Sequence, residues 1–94
     1  MLPQSYYLLR STHDGQYLAA KPQNKDSKGF LMLFNADYEA LSYVNQHAAE
    51  VANRFAVEAI TQAQLKQMMD RWGYEGVGVV NDPLVPEVEF LKRS

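Results

Sequence analysis

The fold of this chain is decided by the stretch Phe30-Leu31-Met32-Leu33-Phe34 and by the segment that follows it, Asn35-Ala36-Asp37-Tyr38-Glu39-Ala40-Leu41. Five consecutive apolar residues are typical of a strand that is covered on both of its faces. Asn35 is a candidate N-cap, and Asp37 and Glu39 would lie in the first helical turn, where the helix dipole favours carboxylates. The pattern therefore predicts a central strand that leads into a covering helix within one or two residues.

Two shorter segments before the central strand predict a β-hairpin. Residues 6–10 and 16–20 are rich in strand formers, and Asp14-Gly15 between them is a turn dipeptide because glycine tolerates positive φ. Residues 21–29 carry proline, asparagine, aspartate, serine and glycine, which predicts a mobile loop.

Helical and extended patterns alternate after the central strand. Apolar residues at spacings of three and four predict a first helix over about residues 36–53. A strand over residues 55–60 leads to a second helix, which begins with a capping box at Thr61 and Gln64 and ends at Gly73. Residues 76–80 and 87–91 are predicted to be the last two strands.

These elements follow the order ββ-β-α-β-α-ββ and predict one α+β domain over residues 1–94. Strand–helix–strand units cross over right-handed and make their strands parallel, so the expected sheet is mixed. We expect both helices to pack on one face of this sheet, although the pattern does not establish that they share it. Leu65, Met68 and Trp72 of the second helix are expected to fill that layer together with Val44 and Val51.

Composition and charge exclude several classes of protein. The chain has no cysteine, so disulfides, thiolate zinc sites and cysteine nucleophiles are excluded, and the composition is compatible with a reducing compartment. Nine basic and eleven acidic residues leave a net charge of −2 and no basic stripe, which disfavours nucleic acid as a partner. The N-terminal residues lack a signal-peptide pattern, and no apolar run approaches the ~20 residues of a membrane span, so we expect a cytoplasmic location.

No residue pattern predicts catalysis, a metal site or a cofactor. His47 and Glu50 have the spacing of a metal-ligand pair, but the second helix offers neither histidine nor glutamate to complete the site. Asp14 beside His13 is explained by turn chemistry. The glycines of Gly76-Val77-Gly78 follow a helix and open a strand, the reverse of a phosphate-binding loop, so close packing or a bulge is the expected role.

The tyrosines provide the best interaction candidates. Six tyrosines in 94 residues supply amphipathic side chains of the kind favoured at interfaces. Tyr38, Tyr43, His47 and Glu50 lie on the first helix in this interpretation, with Tyr43, His47 and Glu50 along one edge of its apolar stripe. That edge could meet a protein partner, but ordinary packing at the boundary of the core is the favoured explanation, because singly exposed aromatic side chains are common.

Residues 29–91 resemble the N-terminal domain of the SseB family. The matching parts are Leu33-Phe34-Asn35-Ala36-Asp37-Tyr38-Glu39-Ala40-Leu41, the short helix with Leu65, and Val77-Gly78-Val79-Val80-Asn81-Asp82-Pro83. The family's last element reads glycine, aliphatics, Asn, Pro, whereas Asp82 is interposed here. The resemblance implies an α+β domain with a non-catalytic role and transfers no site residue to this chain.

The first functional hypothesis is therefore a small protein-interaction or adaptor domain without enzymatic activity. A homo-oligomer formed through the first helix, or through an edge strand of a terminal hairpin, is one form of it. The alternative is a small-molecule binding or sensor module in which Tyr6, Tyr17 and Phe90 line a groove on an open sheet face. An enzyme is the least favoured hypothesis, because the acid–base candidates lack partners.

Overall fold

The computed structural model describes residues 5–20, 29–82, 84 and 87–92 and contains one sheet with two α-helices. Residues 21–28 of the predicted loop over residues 21–29, and the prolines at 83 and 86, lie outside the described residues. A 3₁₀ helix, Ala49–Arg54, separates the first α-helix from the strand after it. In chain order the other elements are β1 (Ser5–Ser11), β2 (Ala19–Ala20), β3 (Phe30–Phe34), α1 (Asp37–His47), β4 (Phe55–Thr61), α2 (Gln62–Trp72), β5 (Gly76–Asp82) and β6 (Glu87–Lys92).

The sheet is mixed, which confirms the predicted α+β class and the order of elements. Its strands lie in the order β4-β1-β3-β5-β6, and β2 pairs with β3. β3 and β5 are parallel, whereas β1 runs antiparallel to both β3 and β4. β4 therefore runs in the same direction as β3 and β5, as the strand–helix–strand rule predicts. β6 pairs antiparallel with β5 and is the last strand of the sheet on that side.

The predicted N-terminal hairpin forms only near its turn. The Ser11 amide donates to the Gln16 carbonyl at 2.8 Å, and Tyr17 bridges to Arg10. Gly15 has φ of 75°, which explains the requirement for glycine in this turn. The returning segment then leaves β1, and Ala19 and Ala20 pair with β3 instead.

The two helices pack on opposite faces of the sheet, so the expectation of a single shared face is wrong. Leu65 and Met69 of α2 join a cluster that includes Leu31 and Leu33 of β3. Ala40 and Val44 of α1 join a second cluster, which includes Met32 and Phe34 of the same strand. Since successive side chains of a strand point to opposite faces, α1 and α2 lie on either side of β3.

The composition of β3 explains this three-layer arrangement. All four residues from Leu31 to Phe34 are buried, with 4% or less of their surface exposed. A strand that is apolar on both faces would leave one row of side chains in water if both helices covered the same side. The five-residue apolar run therefore requires packed elements on both faces of β3.

Helix α1 is shorter than predicted. Its N-cap is Ala36 without a side-chain hydrogen bond, so the prediction of Asn35 as N-cap is wrong. The helix ends at His47, and Ala48 adopts φ −148° and ψ 46° before the 3₁₀ helix begins. No glycine or proline marks this end. The change of direction keeps Ala48 and Ala52 against the α1-side core and brings the chain to the start of β4.

Helix α2 has the termini that its sequence predicts. The Thr61 hydroxyl accepts from the Gln64 amide at 3.2 Å, and the Gln64 side chain accepts from the Thr61 amide at 3.0 Å. This reciprocal capping box satisfies two donors that an uncapped helix leaves unpaired. Gly73 ends the helix in the left-handed conformation, with φ of 74°.

The expected burial of Trp72 is wrong. Leu65 and Met69 are buried and Met68 is partly buried, but 43% of the Trp72 surface is exposed. Trp72 is the last residue of α2, where the helix reaches the edge of the layer. Its indole is therefore available at the surface.

Candidate functional site

A cluster of aromatic and charged side chains lies where α2 ends, on the α2 side of the sheet. We call it the α2-end cluster, and its members are Arg10, Tyr17, Glu58 and Trp72. Arg10 is on the Leu8 face of β1 and Glu58 is on the Ile60 face of β4, because residues two apart on a strand share a face. Tyr17 enters from the segment before β2, and Trp72 enters from the end of α2.

Glu58 is the polar centre of the α2-end cluster. The Tyr17 hydroxyl donates to the Glu58 carboxylate, at 3.3 Å from Oε1 and 3.2 Å from Oε2. The Arg10 guanidinium lies 3.7 Å from Oε2, and its Nε donates to the Gly15 carbonyl at 3.2 Å. Both charged side chains are about half exposed, so the ion pair contributes at most about 1 kcal/mol to stability. The main effect of this ion pair, together with the hydrogen bonds, is to hold the side chains of Arg10, Tyr17 and Glu58 in one arrangement.

The aromatic rings of the cluster contact each other and the guanidinium. The Tyr17 and Trp72 ring centroids are 6.1 Å apart, with the rings tilted by 56°. The Arg10 Cζ atom lies 5.6 Å from the centroid of the Tyr17 ring, within the range of a cation–π contact. Tyr17 therefore connects the ion pair to the exposed indole of Trp72.

The surroundings of Tyr17 change its acidity. Desolvation by burial, followed by the negative charge of Glu58 and the hydrogen bond to it, raises the pKa of the Tyr17 phenol. The positive charge of Arg10 opposes this shift only in part. The hydroxyl consequently remains a hydrogen-bond donor throughout the physiological pH range.

A shallow depression of about 380 Å³ lies beside the ion pair. Arg10 and Glu58 form part of its wall, and the backbone around Gly15 forms another part. Polar and apolar atoms both line it.

The structure distributes the four interaction candidates over three separate places. Tyr43 stacks on the buried Phe34, with ring centroids 5.3 Å apart, and the His47 ring lies 4.8 Å from Tyr43. This pair extends the α1-side core toward the surface. Tyr38 is 68% exposed and lies about 140° around the helix from Tyr43, so the two tyrosines do not form one surface.

Glu50 does not share an edge with Tyr43 and His47, because α1 ends at His47 and Glu50 belongs to the 3₁₀ helix. It lines a separate groove of about 500 Å³ between these helices, together with Leu41, Asn45 and Asn53. The predicted continuous edge is therefore wrong, since it required one unbroken helix.

The alternative groove of Tyr6, Tyr17 and Phe90 is not formed. Tyr6 and Tyr17 pack on the α2 side of the sheet. Phe90 pairs with Gly78 and contacts the α1 side, where its ring lies 5.3 Å from that of Phe30. A helix lies on each side of the sheet, so the open face on which this hypothesis depended is absent from the described part of the chain.

The remaining polar candidates have structural explanations. The Asp14 carboxylate accepts the Gln16 amide at 3.0 Å, and this bond, with one from Ser11, lowers the pKa of Asp14. Asp14 therefore orders the turn, as the sequence predicts. No group of three or more metal-ligating side chains occurs within residues 5–20, 29–82, 84 and 87–92.

Of the α2-end cluster, only Tyr17 is predicted from the sequence as a binding residue; the structure keeps Tyr6 on the same side of the sheet but places Phe90 on the other. The alternation within each strand does put Arg10 on the Leu8 face and Glu58 on the Ile60 face. The missing information was the pairing of β1 with β4, which are far apart in the chain and brought together by the fold.

A small α+β domain with a mixed sheet between two helices is thus the class that the fold defines. No protein-family model matches the chain, and searches of curated proteins and of solved structures give no significant match. The resemblance to the SseB family stays a prediction. Across the described residues, the helices are too short or too polar to cross a membrane.

The raised pKa of Tyr17 predicts a pH dependence. The folded chain holds the phenolic proton more tightly than the unfolded chain does, whose pKa is about 10. This contribution to stability is fully present below that pH and is lost as pH rises through the raised pKa. Subtracting the tyrosinate absorption of Tyr17→Phe from that of the wild type isolates the titration of Tyr17, whose midpoint should lie above pH 10. In the Glu58→Gln variant the midpoint should move part of the way back toward that value, because the negative charge is gone. A Tyr17 midpoint at about pH 10 both with and without Glu58 would contradict the prediction.

Proposed function

We propose that this chain is a non-catalytic protein-interaction domain that binds a partner at the α2-end cluster. Trp72 carries this proposal, because it is a large aromatic side chain that is 43% exposed and yet held against Tyr17. Tryptophan, tyrosine and arginine are the residues that contribute most often to the energy of protein interfaces. All three types meet here within one cluster.

The ordering of the cluster supports a binding role. An interface that must first immobilise long side chains loses part of its binding energy as conformational entropy. Here Arg10 is already held by Glu58 and by the Gly15 carbonyl, and Tyr17 is already hydrogen-bonded to Glu58. A partner would therefore cover the exposed indole with little further loss of side-chain freedom.

The chemistry of the cluster indicates what the partner presents. The indole offers an apolar surface, and the half-exposed Arg10 offers a guanidinium whose remaining donors can reach a carboxylate. A protein segment with an apolar side chain next to an acidic residue fits both features. A cytoplasmic location, with which the absence of cysteine is compatible, remains part of this proposal.

The single tryptophan of the chain provides the test. Once a partner has been captured with the wild-type domain and purified, its addition should shift the Trp72 emission to shorter wavelength, because the indole becomes buried. Trp72→Ala should weaken binding by about thirtyfold, the effect of losing an interface residue worth about 2 kcal/mol. Leu41→Ala is the matched control, since Leu41 is similarly exposed, at 46%, on the opposite side of the sheet.

Equal binding by the wild type and Trp72→Ala would overturn the proposal, as would an unchanged Trp72 emission on binding. A greater loss in Leu41→Ala would move the interface to the α1 side. Thermal unfolding of both variants shows whether any loss of binding comes from loss of the fold.

A further inference from the structure

The groove of about 500 Å³ on the α1 side of the sheet is separate from the α2-end cluster. It lies where α1 ends at His47 and the chain turns into the 3₁₀ helix. We call it the α1-end groove. The residues that line it include Leu41, Val44, Asn45, Glu50, Ala52 and Asn53.

The α1-end groove has an apolar floor and a polar rim. Val44 is 2% exposed and Ala52 is partly buried, and both pack into the α1-side core. Asn45, Glu50 and Asn53 are exposed. Such a groove accommodates a side chain with a long apolar stem and a polar tip, as lysine and arginine have.

Glu50 gives the groove a negative charge that its surroundings do not compensate. Residues 37–53 contain two further carboxylates, those of Asp37 and Glu39, and no lysine or arginine. Arg54 follows at the end of the 3₁₀ helix, but within the described part of the chain the Glu50 carboxylate forms no ion pair or hydrogen bond with it or with any other residue. The charge of the groove therefore favours a cationic occupant.

The two asparagines of the rim favour arginine over lysine. Each presents a carbonyl oxygen, and neither side chain is hydrogen-bonded within residues 5–20, 29–82, 84 and 87–92. A guanidinium group has five donors in a planar fork, so it can bind a carboxylate with two of them and still donate to an amide oxygen. An ammonium group lacks this planar fork.

Exposed apolar side chains beside the groove indicate that the arginine belongs to a protein segment. Leu41 lines the groove and is 46% exposed. Tyr38 lies one turn earlier on the same side of α1 and is 68% exposed. Residues next to the arginine in a partner chain would cover Leu41 and Tyr38, whereas a free small cation would leave them in water.

From these features we infer that the α1-end groove binds an arginine side chain of a partner protein, next to an apolar residue of the same segment. The Glu50 carboxylate pairs with the guanidinium, and Val44 and Ala52 contact the methylene stem. The groove and the α2-end cluster lie on opposite sides of the sheet. This is therefore a second binding surface, and it does not depend on the partner proposed for Trp72.

An NMR titration of the ¹⁵N-labelled wild type with the peptide acetyl-Leu-Arg-Leu-amide tests the site. The amide signals of residues 41–53 should shift, and the indole signal of Trp72 should not. The peptide with lysine in place of arginine should bind at least about threefold more weakly, and the glutamine peptide should give no shift. No shift in residues 41–53, or equal binding of the arginine and lysine peptides, overturns the inference. Shifts of the same amides with protein concentration alone would identify a second copy as the occupant and would overturn it too.

Two opposite changes of charge test the role of the groove carboxylate. Glu50→Gln should weaken binding of the arginine peptide about fivefold, the effect of an exposed ion pair worth about 1 kcal/mol. Asn45→Asp adds a second carboxylate to the rim and should strengthen binding by about the same factor. Binding that Glu50→Gln leaves unchanged would overturn the inference.

Glu39→Gln is the matched control for the loss of charge. It removes the same charge from α1 at a position about 160° around the helix from Leu41, away from the groove. Binding of the arginine peptide should change by less than about twofold, because salt screens the longer distance. An effect as large as that of Glu50→Gln would mean that the peptide responds to net charge alone, which also overturns the site.

Discussion

Replacing Phe34 by alanine is expected to lower the free energy of unfolding by about 3–5 kcal/mol, the usual cost of removing a buried phenylalanine. Phe34 is 0% exposed and ends β3, where it pairs with Tyr7 of β1 and Val80 of β5. Its ring also supports Tyr43 of α1. The alanine variant would leave a cavity between three elements, and packed strands cannot close in to fill it.

For a small domain whose total stability is about 5–15 kcal/mol, this loss is a large fraction. Chemical denaturation of the purified variant should show a lower midpoint with an unchanged slope. Phe30→Ala is the matched control, since Phe30 is on the same strand and the same face but is only partly buried. Its cost should be clearly smaller, and equal costs would contradict the described burial of Phe34.

Replacing Gly76 by alanine is expected to be comparably destabilising, by about 3 kcal/mol or more, as severe overpacking is. A Cβ atom at this position would overlap the carbonyl oxygen of Leu91 and lie 2.8 Å from the Cα of Lys92. These are backbone atoms of β6, so no change of side-chain rotamer relieves the contact. The strands β5 and β6 would have to separate at this end, with loss of their hydrogen bonds.

Gly78→Ala separates this steric effect from the general cost of changing a glycine. Gly78 is two residues further along β5, and its added Cβ would lie 3.1 Å from Met32, Phe90 and Val88 side-chain atoms. Side chains can move by the few tenths of an ångström required, so we expect a cost within about 1 kcal/mol. Hydrogen exchange of the β6 amides should increase in Gly76→Ala and change little in Gly78→Ala. The reverse order would contradict the described β5–β6 contact.

The sequence predicts correctly those features that depend on residues close together in the chain. The capping box of Thr61 and Gln64 and the turn at Gly15 involve residues within a few positions of each other, and both were predicted correctly. The end of α1 at His47 is not predicted, because no glycine or proline marks it; Ala48 leaves the helical conformation at a position where it packs against the α1-side core.

The candidate site was less predictable than the fold. The tyrosine content predicts an interaction surface, which stays a prediction. The helical spacing of Trp72 matches that of Leu65 and Met69 and so predicts its burial, whereas the structure leaves it exposed. Periodicity identifies the face of a helix and does not show where the layer beneath it ends. Arg10 and Glu58 were not predicted as a pair, because only the β1–β4 register brings them together.

The sequence by itself determined the α+β class, the order of strands and helices, and a central strand apolar on both faces, since each follows from local periodicity, capping and turn chemistry. Only the tertiary structure decided that α1 and α2 cover opposite faces of the sheet, that α1 ends at His47, and that Arg10, Tyr17, Glu58 and Trp72 meet at one surface. These features arise from contacts between residues far apart in the chain, which depend on how the strands pair and on where each packed layer ends.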